Sequence, residues 1–129
     1  LGNNTDDKDI NALTLVNLGG NEGHVFENIK VLESQYDGIK IFGGSVNMND
    51  ILIDSSADNY VDTDHGHTGI ITDLQLYQST KWLGKSLIEC GNSKGITSTT
   101  FVKVTFNGGT DTSSYKNNSH RLRACSDRS

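Results

Sequence analysis

The chain has 129 residues, room for one domain and not two. Hydrophobic residues make up 33% and charged residues 21%, and no run approaches the roughly 20 apolar residues of a membrane-spanning helix, so no membrane-spanning helix is expected. The net charge of −5 argues against a nucleic-acid binder. The charge is divided unevenly: Arg121, Arg123 and Arg128, all the arginines, fall in the last nine residues, so an acidic body carries a basic tail. The chain starts at Leu1 without a basic-then-apolar leader. That is expected either after removal of a signal peptide or in a segment of a longer chain.

There is no proline, and short aliphatic runs alternate with Gly, Asn, Asp and Ser, the pattern of strands and turns. Residues 1–22 read as an N-terminal cap region, with Ala12-Leu13-Thr14-Leu15-Val16 as a covering strand. A repeat then begins. Ile29, Ile51, Leu74 and Val102 anchor four similar segments, spaced by 22, 23 and 28 residues. Two positions on stand Val31, Ile53, Leu76 and Val104, a second apolar column. Five positions on stand Ser34, Ser56, Ser79 and Asn107, a candidate hydrogen-bonded ladder. One position before the anchors stand Asn28, Asp50, Asp73 and Phe101. Each unit holds a second strand: Asp37-Gly38-Ile39-Lys40-Ile41, then Asn59-Tyr60-Val61-Asp62-Thr63, then Lys85-Ser86-Leu87-Ile88-Glu89-Cys90-Gly91-Asn92, delayed by an insertion at Ser79-Thr80-Lys81-Trp82-Leu83. Third strands are expected at Ser45-Val46-Asn47-Met48, Gly69-Ile70-Ile71 and Gly95-Ile96-Thr97. A period near 22 residues with short strands predicts an all-β solenoid over residues 23–108, built on stacked aliphatic columns. Residues 109–129 read as a basic tail or a second cap. Open strand edges at the ends predict self-association, end to end, unless they are capped.

The segments Asp37-Gly38-Ile39-Lys40-Ile41-Phe42-Gly43-Gly44-Ser45-Val46-Asn47 and Asp58-Asn59-Tyr60-Val61-Asp62-Thr63-Asp64-His65-Gly66 carry a resemblance. Over about residues 12–92 the chain resembles secreted and surface-anchored bacterial proteins of the right-handed parallel β-helix class, the pectate-lyase-like superfamily. The resemblance implies a right-handed coil and an extracellular or cell-surface setting. It also implies two classes of function, non-enzymatic adhesion or structure on one side and polysaccharide cleavage or binding on the other.

Candidate chemistry concentrates in one acidic segment. Asp62 and Asp64 alternate with Val61 and Thr63, which puts both carboxylates on one face of a strand. They are the candidate acid and base if the chain cleaves glycosidic bonds. Asp58, Asp62 and Asp64 are the candidate Ca²⁺ ligands, because a hard cation takes six to eight oxygens and relieves crowded carboxylates. The competing reading makes these side chains turn-forming residues bonded to local amides. Lys40 is expected beside Asp62 on the neighbouring turn as an exposed ion pair, and His65 and His67 as exposed turn histidines. Trp82 and Tyr77 are candidate platforms for sugar rings of a surface polysaccharide. Cys90 and Cys125 are a candidate disulfide joining tail to body. The function expected from these features is a non-enzymatic extracellular structural or adhesive module. A carbohydrate-active enzyme or calcium-dependent glycan binder is the alternative.

Overall fold

The structure, a computed structural model, describes residues 10–19, 25–79 and 86–107. All regular structure among them is β. The strands are β1 (Leu13–Val16), β2 (Val25–Ser34), β3 (Ile39–Phe42), β4 (Asn47–Ser56), β5 (Asn59–Asp64), β6 (Ile70–Tyr77), β7 (Ser86–Cys90) and β8 (Thr100–Asn107). They alternate between two sheets, β1-β3-β5-β7 (sheet A) and β2-β4-β6-β8 (sheet B), and every ladder is parallel. A chain that visits two parallel sheets in strict alternation winds as a coil, the arrangement of a parallel β-helix.

The core is the stack of like residues that this winding brings together. On sheet B, Ile29 pairs with Ile51 and Ile51 with Leu74; Val31, Ile53 and Leu76 form the column beside them. On sheet A, Leu13, Ile39, Val61 and Ile88 make one column, and Leu15, Ile41, Thr63 and Cys90 another. Ile41, Ile51, Ile53, Val61 and Leu74 are wholly buried. At roughly 25 cal/mol per Å² of apolar surface, these columns hold most of the burial energy.

The sheet B strands are bent by one residue each. Asn28, Asp50, Asp73 and Lys103 occupy equivalent positions, all have φ of 58–59°, and the ladders skip them. The bend resets the side-chain alternation, so Met48 and Ile51, three positions apart, both face the core. Two further corners have the same character, at Glu33 and Ser55 and at Asn17, Gly43 and His65. Left-handed backbone costs an L-residue roughly 1–2 kcal/mol, least for Asn and Asp, which explains Asn28, Asp50 and Asp73. Lys103 lacks that tolerance. Lys103→Asn is therefore expected to raise stability by about 0.5–1 kcal/mol, read as a higher urea midpoint at unchanged slope.

Several expectations are corrected. The fourth anchor is Val104, not Val102: Leu74 pairs with Val104, and Val102 lies opposite Thr72. A two-residue slip preserves alternation, so the apolar pattern alone could not fix that register. The third copy of the short strand runs through Thr100 and Phe101, while Ile96 is 78% exposed in a loop. The serines do not form a ladder among themselves. Ser34 Oγ donates to the Asp37 carbonyl, and Ser56 Oγ to the carbonyls of Asn59 and Tyr36. The strand expected to cover the end, around Ala12–Val16, is a regular member of sheet A.

Candidate functional site

Strand alternation in sheet A sends one set of side chains into the core and the other outward. The outward set forms two columns. Thr14, Lys40, Asp62 and Glu89 make the first, and Val16, Phe42 and Asp64 the second. This face holds the two carboxylates that the sequence singled out, with a cation and an aromatic ring beside them.

Lys40 and Asp62 sit directly opposite one another in register and form an ion pair and hydrogen bond. The expected pairing is present, but it is not an exposed one: the side chains are only 16% and 11% accessible. Burial works against the Lys40 charge, yet the Asp62 hydrogen bond and the charges of Asp62, Asp37 and Asp64 outweigh it and hold the ammonium above its ordinary pKa. Burial lifts the Asp62 carboxyl, and Glu89 and Asp64 add to the lift, with Lys40 offsetting only part of it. Lys40 Nζ also lies 4.9 Å from the Phe42 ring centroid.

Asp64 is held differently. It accepts hydrogen bonds from the His65 amide at 2.6 Å, the Ser93 amide at 3.0 Å and the Ser93 hydroxyl at 2.6 Å. Burial raises its pKa, but these donors and the nearby His65 outweigh burial, and the carboxyl stays below the usual range. Asp54 does the same at another corner, where it accepts from Ser55 and from the amide and hydroxyl of Ser79. Both are turn-to-turn fasteners.

Asp58 lies in the turn between β4 and β5, with Oδ1 buried and without a hydrogen-bond partner. Among the described residues, no group of three or more His, Cys, Asp or Glu side chains is placed to hold a metal ion. Tyr77 is on the other sheet, in register with Asp54, its hydroxyl 3.5 Å from Gln75 Oε1. Trp82 and Cys125 lie outside the described residues. Cys90 is buried, and its sulfur accepts from the Thr63 hydroxyl at 3.5 Å.

The two histidines separate. His65 packs its ring on Phe42, with centroids 4.9 Å apart. His67 is wholly buried: Nε2 donates to the Val46 carbonyl at 3.0 Å, which leaves Nδ1 to accept from the Thr99 hydroxyl at 2.6 Å. Burial pushes its pKa down. An exposed pair is thus overturned, because the backbone turns between them at Gly66, with φ +79°.

Two features went unread in the sequence. Asp37 is 6% exposed and accepts from the Asn59 amide at 3.0 Å. Burial, and then the Asp62 charge, raise its pKa to about 7. Its signal was the repeat itself, since Asp37 and Asn59 hold equivalent positions. The second is a shallow depression of about 410 Å³ lined by Val16, Asn17, Phe42, His65 and Lys94. It needed the register to be seen, because its residues come from three successive turns and a loop.

No curated protein and no solved structure matches the chain. A family model does: the pectate-lyase like beta helix domain, matched over residues 2–126. With its two all-parallel sheets wound in alternation, the chain belongs to that family of β-helix domains.

Proposed function

We propose that the chain is a non-enzymatic structural or adhesive module of an extracellular or cell-surface setting, working through the outer face of sheet A. The observation that carries this reading is the commitment of both candidate catalytic carboxylates. Asp62 is paired with Lys40, and Asp64 is bound by Ser93 and the His65 amide. Both carboxylates are held by partners within the chain, which supports a role in fastening the fold. What remains available is a flat, rigid face with an aromatic ring, a cation and an amide around one depression. Such a surface suits stacking and hydrogen bonding to a surface polysaccharide. In an oxidising setting Cys90 pairs with Cys125, and the absence of a free cysteine among the described residues supports that pairing. Self-association through the ends of the coil belongs to the same proposal.

The test is a panel of neutral and acidic polysaccharides, assayed for retention and for product release, with calcium and with chelator. Retention without product release is expected, and Phe42→Ala should weaken retention at least about fivefold. Product release that disappears in Asp62→Asn or Asp64→Asn would establish an enzyme instead. Loss of retention in Tyr77→Ala with Phe42→Ala unchanged would move the contact surface to sheet B, and loss in chelator alone would make it calcium-dependent.

A further inference from the structure

Among the described residues, the two ends of the coil present like side chains on sheet B. Along the sheet B columns the inner members are sealed: Met48 and Ile71 are 2% and 1% exposed, and Ile51 and Leu74 are 0%. Of the outermost members of those columns, Phe26 and Ile29 at one end and Phe101, Val104 and Phe106 at the other are only half-buried, while Val31 is buried. At the β2 end this opens a groove of about 490 Å³ with an apolar floor of Ala12, Leu13, Phe26, Ile29 and Val31, and Leu32 on its rim. The segments of sequence nearest to it, residues 1–9 and 20–24, contain a single apolar side chain, Leu1.

From this geometry we infer that the groove is the docking site for the β8 end of a second copy of the chain. Among the described residues, β1 and β2 are the edge strands at one end, β7 and β8 at the other, and all run parallel. A copy placed head to tail therefore extends sheet B without reversing a strand. Carrying the register on sets Phe101 on Phe26, Val104 on Ile29 and Phe106 on Val31, so that each apolar column continues. The left-handed corner continues too, with Lys103 above Asn28. The β2 edge carries exposed Glu27 and Glu33 against one exposed cation, Lys30, and the β8 edge carries exposed Lys103, so the net charges of the two edges are opposite. The contact is heterologous, so it leaves one end of each type free and grows in a line. This deepens the module reading by naming its partner as itself, and it stands whether or not any polysaccharide binds.

Sedimentation velocity of the full chain over a concentration series tests it. Mass should rise with concentration, without a fixed endpoint. Leu32→Lys blocks one end, and Val102→Glu, set against Glu27, blocks the other. Leu32 and Val102 are 63% and 46% exposed, so both variants should keep the native circular dichroism. Each alone should raise the concentration needed for assembly at least about tenfold. An equimolar mixture should stop at dimers, one open end of each kind having been used. A monomer at every concentration overturns the proposal. So does a mixture no more associated than its components, which would mean a contact between like ends.

Discussion

Gly69→Ala is expected to lower unfolding free energy by about 3 kcal/mol or more, while Gly19→Ala changes it by under about 0.5 kcal/mol. The contrast follows from what a methyl group would meet. At Gly69 the new carbon would lie 1.9 Å from the Val46 carbonyl oxygen and 2.7 Å from His67 Nε2; at Gly19 nothing stands within 4 Å. No rotamer relieves a clash made by Cβ itself, so the backbone must move. The move is costly here because three turns meet at this corner. His67 reaches back to Val46 and forward to Thr99, and the Ser98 amide donates to the His67 carbonyl at 2.9 Å. Displacing Gly69 strands a buried imidazole, and each buried polar group left unpaired costs roughly 1–3 kcal/mol. Urea unfolding of the two variants, compared at equal slope, checks the prediction. Equal midpoints would mean that the corner is slack.

The coil was legible because its burial is periodic. Ile29, Ile51 and Leu74 recur at nearly constant spacing, each with a second apolar residue two positions on, and that alone places them in columns. The Lys40–Asp62 contact was legible for the same reason, a spacing of 22 residues. What the spacing could not supply was depth. Lys40 and Asp62 are polar residues on an outward column, yet their side chains are only 16% and 11% accessible, with the Phe42 ring centroid 4.9 Å from Lys40 Nζ. The same limit hid His67, whose partners Val46 and Thr99 are 21 and 32 residues away. The register failed where the chain makes a longer excursion, between β6 and β8. There alternation in Thr100–Asn107 fits two offsets equally, and only the bend at Lys103, facing Asp73, selects one. A strained backbone position on a lysine leaves no compositional trace.

Asp37 has the largest expected effect on pH dependence. Its carboxyl is held up near pKa 7, first by burial and then by the Asp62 charge, against an ordinary 3.8. The folded chain therefore keeps a proton that the unfolded chain gives up. The stability from this group is complete below about pH 4 and is lost as pH rises toward and through 7. His67 acts in the opposite sense. Its pKa is lowered by burial from 6.5, so the unfolded chain takes up its proton first, and stability is lost as pH falls below that value. The two slopes oppose each other between pH 4 and 7 and flatten the wild-type profile. Asp37→Asn removes one of them. The amide oxygen can still accept from the Asn59 amide, as Asp37 Oδ1 does at 3.0 Å, and the side chain no longer has to ionise beside Asp62. The variant should exceed the wild type by about 2 kcal/mol at pH 8 and match it near pH 4. Its stability should climb with pH through the region where His67 titrates. Urea unfolding from pH 4 to 8 measures both curves, and parallel curves would mean that Asp37 is already ionised at neutral pH, with Lys40 near enough to carry its charge.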